Sequence, residues 1–345
     1  MQVPNTLAAA ARSLAQHPQD HGWRDLYGLF AYGLDRSAGE LEGVLNDSYR
    51  ARPTSATHLI TLLGIALHFA TPTAFVHLVT EDPYETRLPI LERTLAQHRR
   101  AITSILLTRQ NSFSCARRYL VTQVLLAAYF DQIPHTELNF VDLGTGIGVL
   151  PRQLNSGQIY QNFANDLLWP GGIPAFRKLR LTSAFGIDRG PMPDLAWLHA
   201  CYGQSEYYAK LYDELVDTLA NPEVQRSQVT FRELDLLNTR ALAGFIDEQK
   251  INAANLTYVL YELDAATRQA VLETIVTSLR SPGVLLVTEP SDELRRQGCI
   301  VELFHSGDMQ PLSLCYISDG HFRGHVLPLD DYDRFIRQYP IPYQA

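Results

Sequence analysis

The chain has 345 residues, of which 46% are apolar and 19% are charged, and its formal net charge at pH 7 is −8. These fractions are typical of a folded globular protein and exclude a disordered one. The acidic balance argues against a nucleic-acid partner, because nonspecific binding to nucleic acid needs a cationic surface.

The spacing of the cysteines and the N-terminal sequence help to predict the cellular location of the protein. The four cysteines lie far apart without a CxxC pair, at Cys115, Cys201, Cys299 and Cys315. This spacing indicates reduced thiols rather than a disulfide framework. The N-terminus also lacks the sustained apolar stretch of a secretory signal. We therefore expect a cytoplasmic protein.

The first 130 residues carry apolar side chains at three- and four-residue spacing, which predicts a helical N-terminal domain over residues 1–130. We expect this domain to form a lid or one wall of a substrate pocket. Ser55 is expected to cap one helix. The uncharged run over residues 59–79 is as long as a membrane span, but Pro72 interrupts it, so we predict two buried helices and no membrane contact. The other helices are expected over residues 7–14, 23–34, 88–107 and 117–130.

Strand and helix patterns alternate in the remainder, residues 131–345, as they do in a parallel sheet covered by helices. A helix over residues 265–279 is followed by Pro282 and Gly283, which end it. Asp319-Gly320 between two apolar runs predicts an antiparallel hairpin. The predicted fold class is thus α/β, with a mostly parallel Rossmann-like sheet. Its strands are expected over residues 139–143, 183–187, 228–234, 255–260 and 283–288.

The most informative segment covers residues 140–150 and reads FVDLGTGIGVL. An apolar strand ends at Asp142, and glycine then occupies every second position, at Gly144, Gly146 and Gly148. Such a loop lets the backbone approach a ligand, and a helix that begins next directs its free N–H groups to the same place. A plain turn between strand and helix is the alternative. The spacing differs from the GxGxxG of dinucleotide-binding loops, which disfavours an NAD-dependent enzyme.

The pattern acidic-x-GxGxG resembles motif I of the class I S-adenosylmethionine-dependent methyltransferases. The resemblance implies S-adenosyl-L-methionine as cofactor and a small molecule or natural-product intermediate as substrate. It further implies that the cofactor is bound by the loops at the carboxyl ends of the first four strands. The cofactor-binding residues expected on this basis are Asp142, Gly144, Thr145, Gly146, Gly148, Asp188, Arg189, Asp235, Leu236 and Tyr258.

Asp188 ends the second expected strand, where a carboxylate can accept hydrogen bonds from both ribose hydroxyls. A helix cap or a surface turn is the alternative. Asp188 follows the glycine loop by more than forty residues, rather than the about twenty of dinucleotide folds. An insertion over residues 155–181 is therefore expected before this strand.

The segment YVLYELD, residues 258–264, follows the fourth expected strand and is predicted to line the site of methyl transfer. An aromatic ring and a carboxylate both attract a sulfonium cation. Tyr261 and Glu262 are therefore the catalytic candidates, with His305 and Glu289 as further candidates for a general base. The alternative is that these side chains only cover the edge of the sheet.

A longer segment, residues 55–270, is similar to the actinobacterial proteins grouped as domain of unknown function 2332. The similarity is carried by the glycine loop and by two stretches, HRRAITSILLTRQNSFSCARRYL and FGIDRGPMPDLAWLHACYGQSEYYAKLYDEL. Gly190 replaces the asparagine that the family usually has before the proline. Because the family has no general assigned reaction, the similarity implies architecture more than chemistry.

Other chemistries are disfavoured by the motifs. The pairs His17/His21 and His321/His325 lack an HExxH pattern or a third ligand, so we predict no metal site. Neither a GxSxG elbow nor a Walker-type phosphate loop occurs in the sequence. A non-catalytic methyltransferase-like binding or regulatory protein remains the alternative function, and the sequence leaves the oligomeric state open.

Overall fold

The computed structural model describes residues 3–16, 21–52, 54–133, 136–203, 205–290 and 298–344. Contacts divide the chain into two compact units. The helical unit contains the chain up to Phe113 together with Pro193–Asp213 and Glu262–Asp264. The sheet unit contains Ser114–Met192, Glu214–Tyr261 and the chain from Ala265 onward.

The predicted division at residue 130 differs from these units for Pro193–Asp213 and Glu262–Asp264, which group with the helical unit, and for residues 114–130, which group with the sheet unit. Tyr119, Leu125 and other apolar side chains of this stretch are buried in the same core cluster as Phe140 of the first strand. The stretch therefore packs as part of the sheet unit.

The helices of the described chain are α1 (Val3–Leu14), α2 (His21–Leu34), α3 (Gly39–Ala51), α4 (Ala56–Ala70), α5 (Pro72–Leu78), α6 (Tyr84–Thr108), α7 (Tyr119–Asp131), α8 (Val149–Gln153), α9 (Gly157–Phe163), α10 (Leu195–Cys201), α11 (Glu206–Ala220), α12 (Pro222–Gln225), α13 (Thr239–Glu248), α14 (Ala265–Ser278) and α15 (Tyr332–Gln338). The strands are β1 (Leu138–Leu143), β2 (Leu167–Leu168), β3 (Leu181–Asp188), β4 (Thr230–Glu233), β5 (Ala253–Thr257), β6 (Val284–Pro290), β7 (Cys299–His305), β8 (Leu312–Ile317) and β9 (Gly324–Pro328).

Two expectations for the helical unit are confirmed. Ser55 caps α4, because its hydroxyl oxygen accepts the N–H of His58 at 3.1 Å. Pro72 begins α5 and so separates two helices whose apolar side chains, such as Leu59 and Leu78, are fully buried. None of the helices described is both long and apolar enough to cross a membrane.

The strands form one sheet in the order β2-β9-β8-β7-β6-β5-β1-β3-β4. Strands β4, β3, β1, β5 and β6 pair in parallel, as predicted. Strands β6 to β9 pair in antiparallel fashion, and β8 and β9 form the predicted hairpin. The α/β fold class is therefore confirmed. Strand β7, which had not been predicted, extends the antiparallel part to three successive pairings.

Strand β1 marks the point where the order of the chain in the sheet reverses, since β3 flanks it on one side and β5 on the other. All six of its residues are buried, as expected for a parallel strand covered on both faces. In open α/β sheets, ligands bind outside the carboxyl ends of the strands at such a reversal. The glycine loop follows β1 directly and so begins at this point.

The expected insertion before β3 is present. Ser156 caps α9 by accepting the N–H of Ile159 at 3.2 Å, and Gly172 closes a turn on the carbonyl of Trp169. Between them, β2 pairs in parallel with β9 at the edge of the sheet. The insertion therefore extends the far edge of the sheet and leaves β3 in register with β1.

Candidate functional site

The three glycines of the loop after β1 all have positive φ, of 75°, 55° and 70° for Gly144, Gly146 and Gly148, a conformation that favours glycine. Their surroundings differ. A Cβ on Gly144 would lie 2.4 Å from Val259, and one on Gly148 would lie 2.2 Å from the Phe231 ring. A Cβ on Gly146 would meet nothing within 4 Å. The outer glycines thus permit close packing, while the middle one faces open space.

Backbone hydrogen bonds tie the glycine loop to the end of β3. The N–H groups of Gly144 and Thr145 both donate to the carbonyl of Ile187, at 2.9 Å each. The N–H of Gly146 donates to Oδ2 of Asp188 at 2.8 Å. The structure therefore places Asp188 against the glycine loop despite the long insertion between them. Oδ1 of Asp188 accepts the N–H of Arg189 at 2.7 Å. Because a carboxylate can accept about four hydrogen bonds, these two bonds are compatible with a ribose contact.

The loops after β3 and β4 meet at the same edge. Nε of Arg189 lies 3.2 Å from Oδ2 of Asp235, and both side chains are more than a third exposed. The N–H of Leu234 donates to the carbonyl of Asp188 at 2.8 Å, and Leu236 is buried beside them. The structure thus brings together four of the predicted cofactor-binding residues, namely Asp188, Arg189, Asp235 and Leu236.

Asp142 lies beneath the glycine loop and is only 4% exposed. Its Oδ1 accepts a hydrogen bond from Nδ2 of Asn255 at 2.8 Å, and Oδ1 of Asn255 accepts one from the Thr122 hydroxyl at 2.9 Å. Burial raises the pKa of Asp142 to about 7, although the Asn255 amide lowers it. A buried carboxyl group at this position can stabilise the glycine loop.

The loop after β5 is held by one carboxylate. Glu289, near the carboxyl end of β6, accepts the N–H groups of Val259 at 2.9 Å, Leu260 at 2.7 Å and Tyr261 at 3.1 Å. Burial raises the pKa of Glu289 to about 7, while these backbone donors lower it. The sequence had suggested Glu289 as a general base. Its three hydrogen bonds instead indicate that it positions the loop.

Tyr258 begins this loop with a φ of 58°, which costs a non-glycine residue roughly 1–2 kcal/mol. Its N–H donates to the carbonyl of Thr288 at 2.9 Å. The Arg118 guanidinium lies over its ring, 4.1 Å from the centroid, and the Tyr261 ring centroid is 6.1 Å away. Tyr258 and Tyr261, both predicted site residues, thus lie together. Backbone strain of this kind clusters at functional sites.

Glu262 groups with the helical unit, unlike Tyr261. Its Oε1 lies 2.9 Å from Nδ1 of His58, a side chain that is 1% exposed, whereas that of Glu262 is 18% exposed. The carbonyl of Glu262 also accepts the N–H of Ser55 at 3.1 Å. The sequence analysis did not identify His58 as a candidate site residue. The only local feature that marks His58 is its position in the first turn of α4.

His305 is not brought to this site. In the antiparallel pairing of β6 and β7, His305 lies opposite Val284 at the amino end of β6, whereas Glu289 lies opposite Ile300. Five residues of strand separate the two positions by roughly 17 Å. Burial lowers the pKa of His305. The unpredicted reversal at β7 thus moves this residue to the other edge of the sheet.

No metal centre is apparent in the described ranges, where three or more His, Cys, Asp or Glu side chains nowhere gather as metal ligands would. His325 lies in β9, and His321 lies in the turn before it. In the other histidine pair, His17/His21, His17 lies outside the described residues.

No protein-family model matches the chain, and no curated protein matches its sequence. The resemblance to domain of unknown function 2332 is therefore not supported by a family match.

Several solved structures of methyltransferases are similar to the chain. CalS10, an amino pentose methyltransferase from Micromonospora echinaspora, is 12% identical over 54% of this chain and 62% of its own, with a TM-score of 0.27. The sugar N-methyltransferase KedS8 from Streptoalloteichus sp ATCC 53650 is 13% identical over 54% and 59%, with a TM-score of 0.28. An O-methyltransferase family protein from Burkholderia thailandensis is 14% identical over 83% and 74%, with a TM-score of 0.29.

The chain thus spans 62% of the length of CalS10 and 59% of the length of KedS8.

Proposed function

We propose that this protein is a methyltransferase that uses S-adenosyl-L-methionine and acts on a small molecule. The observation that carries the proposal is the open space at Gly146, whose N–H donates to the Asp188 carboxylate at 2.8 Å. It lies where the order of the sheet reverses, the place where open α/β sheets bind ligands. A glycine cradle beside a carboxylate fits a ligand that carries a ribose.

In this proposal the chain binds and orients the cofactor. The backbone of the glycine loop approaches the cofactor, and Asp188 accepts hydrogen bonds from the ribose hydroxyls. Asp235 accepts a hydrogen bond from the adenine amino group, and Leu236 lies beside the adenine ring. Tyr261 faces the sulfonium with its ring, and Tyr258, whose ring is covered by the Arg118 guanidinium, lies beside Tyr261.

When bound, S-adenosyl-L-methionine supplies an already activated methyl group. The protein therefore has to align an acceptor in line with the methyl group and exclude water. Little further chemistry is required of its side chains unless the acceptor must lose a proton.

The second candidate is a non-catalytic methyltransferase-like binding or regulatory protein. This alternative is favoured because each candidate general base contacts other groups of the protein or lies away from the site. Glu289 accepts three backbone N–H groups, and Glu262 lies against His58. His305 lies at the other edge of the sheet. A cytoplasmic location and a natural-product intermediate as substrate are further parts of the proposal.

Calorimetric titration with S-adenosylhomocysteine, S-adenosylmethionine and NAD tests the proposal. We expect both sulfur ligands to bind and to raise the melting temperature, because they bind only the native state, and NAD to do neither. Binding of NAD in the absence of binding by either sulfur ligand would overturn the proposal. Release of S-adenosylhomocysteine in the presence of small hydroxyl or amine acceptors would separate the catalytic from the non-catalytic function.

Asp188→Ala should weaken binding of S-adenosylhomocysteine by roughly ten- to several-hundredfold, because charge-assisted hydrogen bonds to the ribose would be lost. Asp330→Ala removes an exposed carboxylate far along the chain and serves as the control. Equal affinities of the two variants would remove Asp188 from the site.

A further inference from the structure

A cavity lies in the sheet unit at the amino ends of β3 and β4. Its volume is about 420 Å³, within the range of roughly 300–1,000 Å³ typical of small-molecule sites. It is lined by residues 181–184 of β3 and by residues 226–229 before β4. Ser183 precedes Asp188 by five residues of strand, or roughly 17 Å. The Ser183 end of the cavity is therefore remote from Asp188, while its Arg152 end contacts the Phe231 ring that also packs against Gly148.

The cavity is positively charged although the chain as a whole carries a net charge of −8. Its lining contains the cations Arg152, Lys178 and Arg226 and the single carboxylate Glu223. The Ser156 hydroxyl donates to Glu223 at 2.6 Å. This hydrogen bond lowers the pKa of Glu223, and Arg226 and Lys178 lower it further. With Glu223 ionised, the lining keeps two net positive charges.

Arg152 is the most constrained of these cations. Its guanidinium stacks on the Phe231 ring, 4.8 Å from the centroid, and burial lowers its pKa. Among the residues that the structure describes, no carboxylate lies within ion-pair distance of Arg152. A partly buried cation without a counter-ion is unfavourable, so a bound anion would stabilise it.

We propose that this cavity binds a phosphate group, carried either by free phosphate or by a small phosphorylated metabolite. The planar fork of Arg152 suits two oxygens of one phosphate, and the ammonium group of Lys178 adds a point charge. Among the other polar side chains of the lining, Gln228 can donate a further hydrogen bond. The hydroxyls of Ser156, Ser183 and Ser227 donate instead to Glu223, Asn139 and the carbonyl of Val224. This inference does not depend on the proposed methyltransferase activity.

Calorimetric titration of the full chain with inorganic phosphate and with glycerol 3-phosphate, at constant ionic strength, tests the proposal. We expect saturable binding at one site. Arg152→Gln and Lys178→Gln should each weaken it roughly tenfold or more, since each removes a hydrogen bond between charged groups. The control Arg337→Gln, which removes an exposed arginine of α15, should leave the affinity unchanged.

The two ligands distinguish the two sources of phosphate. Tighter binding of glycerol 3-phosphate indicates a phosphorylated metabolite, and equal binding indicates free phosphate. Absence of saturable binding at millimolar concentrations, or equal weakening in Arg337→Gln, would overturn the proposal. Lys178 is exposed, so its variant keeps the test valid even if Arg152→Gln fails to fold.

Discussion

The loop after β1 and the loop after β5 follow neighbouring strands of the sheet, but they are ordered by different groups. The first owes its shape to glycines, with positive φ at all three, and to backbone hydrogen bonds to Ile187. The second has a tyrosine, Tyr258, at positive φ and depends on the Glu289 carboxylate for three hydrogen bonds. One loop therefore takes its conformation from its own glycines and is anchored by the end of β3, whereas the other depends on a side chain about thirty positions away.

The largest effect is expected for the loop after β5. Glu289→Ala leaves three backbone N–H groups without their acceptor, and the free energy of unfolding should fall by about 3–5 kcal/mol. Urea unfolding measures this loss. Glu289→Gln is the matched variant, because its amide oxygen retains part of the acceptor capacity, and it should lose clearly less. Similar losses below about 1 kcal/mol in both variants would show that the loop does not depend on Glu289.

The next effect separates two glycines within the first loop. In Gly148→Ala the new methyl group would lie 2.2 Å from Phe231, so strain and overpacking together should cost about 2–3 kcal/mol. In Gly146→Ala the methyl group enters open space, and only the backbone strain of about 1 kcal/mol remains. Thermal unfolding of both variants measures this difference.

The loss of ligand affinity should follow the opposite order, with the larger loss in Gly146→Ala. Gly146→Ala should fold and lose affinity for S-adenosylhomocysteine, because the methyl group fills the space proposed for the ligand. A Gly146→Ala protein that binds normally would reduce this glycine to a turn residue. Equal stability losses at Gly146 and Gly148 would contradict the division between packing and binding.

Local signals were sufficient to predict the first loop. The run FVDLGTGIGVL contains both the buried strand and the glycines that its loop needs, and all five predicted parallel strands are present. The position of Asp188 was harder to predict, because residues 155–181 lie between the glycine loop and β3. Pairing of Asp142 with Gly186 keeps β3 in register with β1, so the insertion does not displace Asp188.

The second loop could not be predicted in the same way. Nothing in the sequence around residues 259–261 indicates that Glu289 accepts their N–H groups, since that contact depends on the pairing of β5 with β6. Strand β7 was missed, and with it the reversal that moves His305 away. The contact of His58 with Glu262 likewise joins residues about two hundred positions apart. Helix α3 was missed because its sequence has few apolar residues.

The smallest effect is expected for the exposed ion pair between the loops after β3 and β4. Nε of Arg189 and Oδ2 of Asp235 are 3.2 Å apart, but the side chains are 45% and 36% exposed, and exposed pairs contribute only about 0.2–1 kcal/mol. Asp235→Asn keeps an oxygen for the N–H of Leu237, which Oδ1 accepts at 3.0 Å. Its unfolding free energy should therefore fall by less than about 0.5 kcal/mol, and not at all at high salt. A loss as large as that of Gly148→Ala in urea unfolding would mean that exposed charge, rather than backbone bonds and close packing, orders this edge of the sheet.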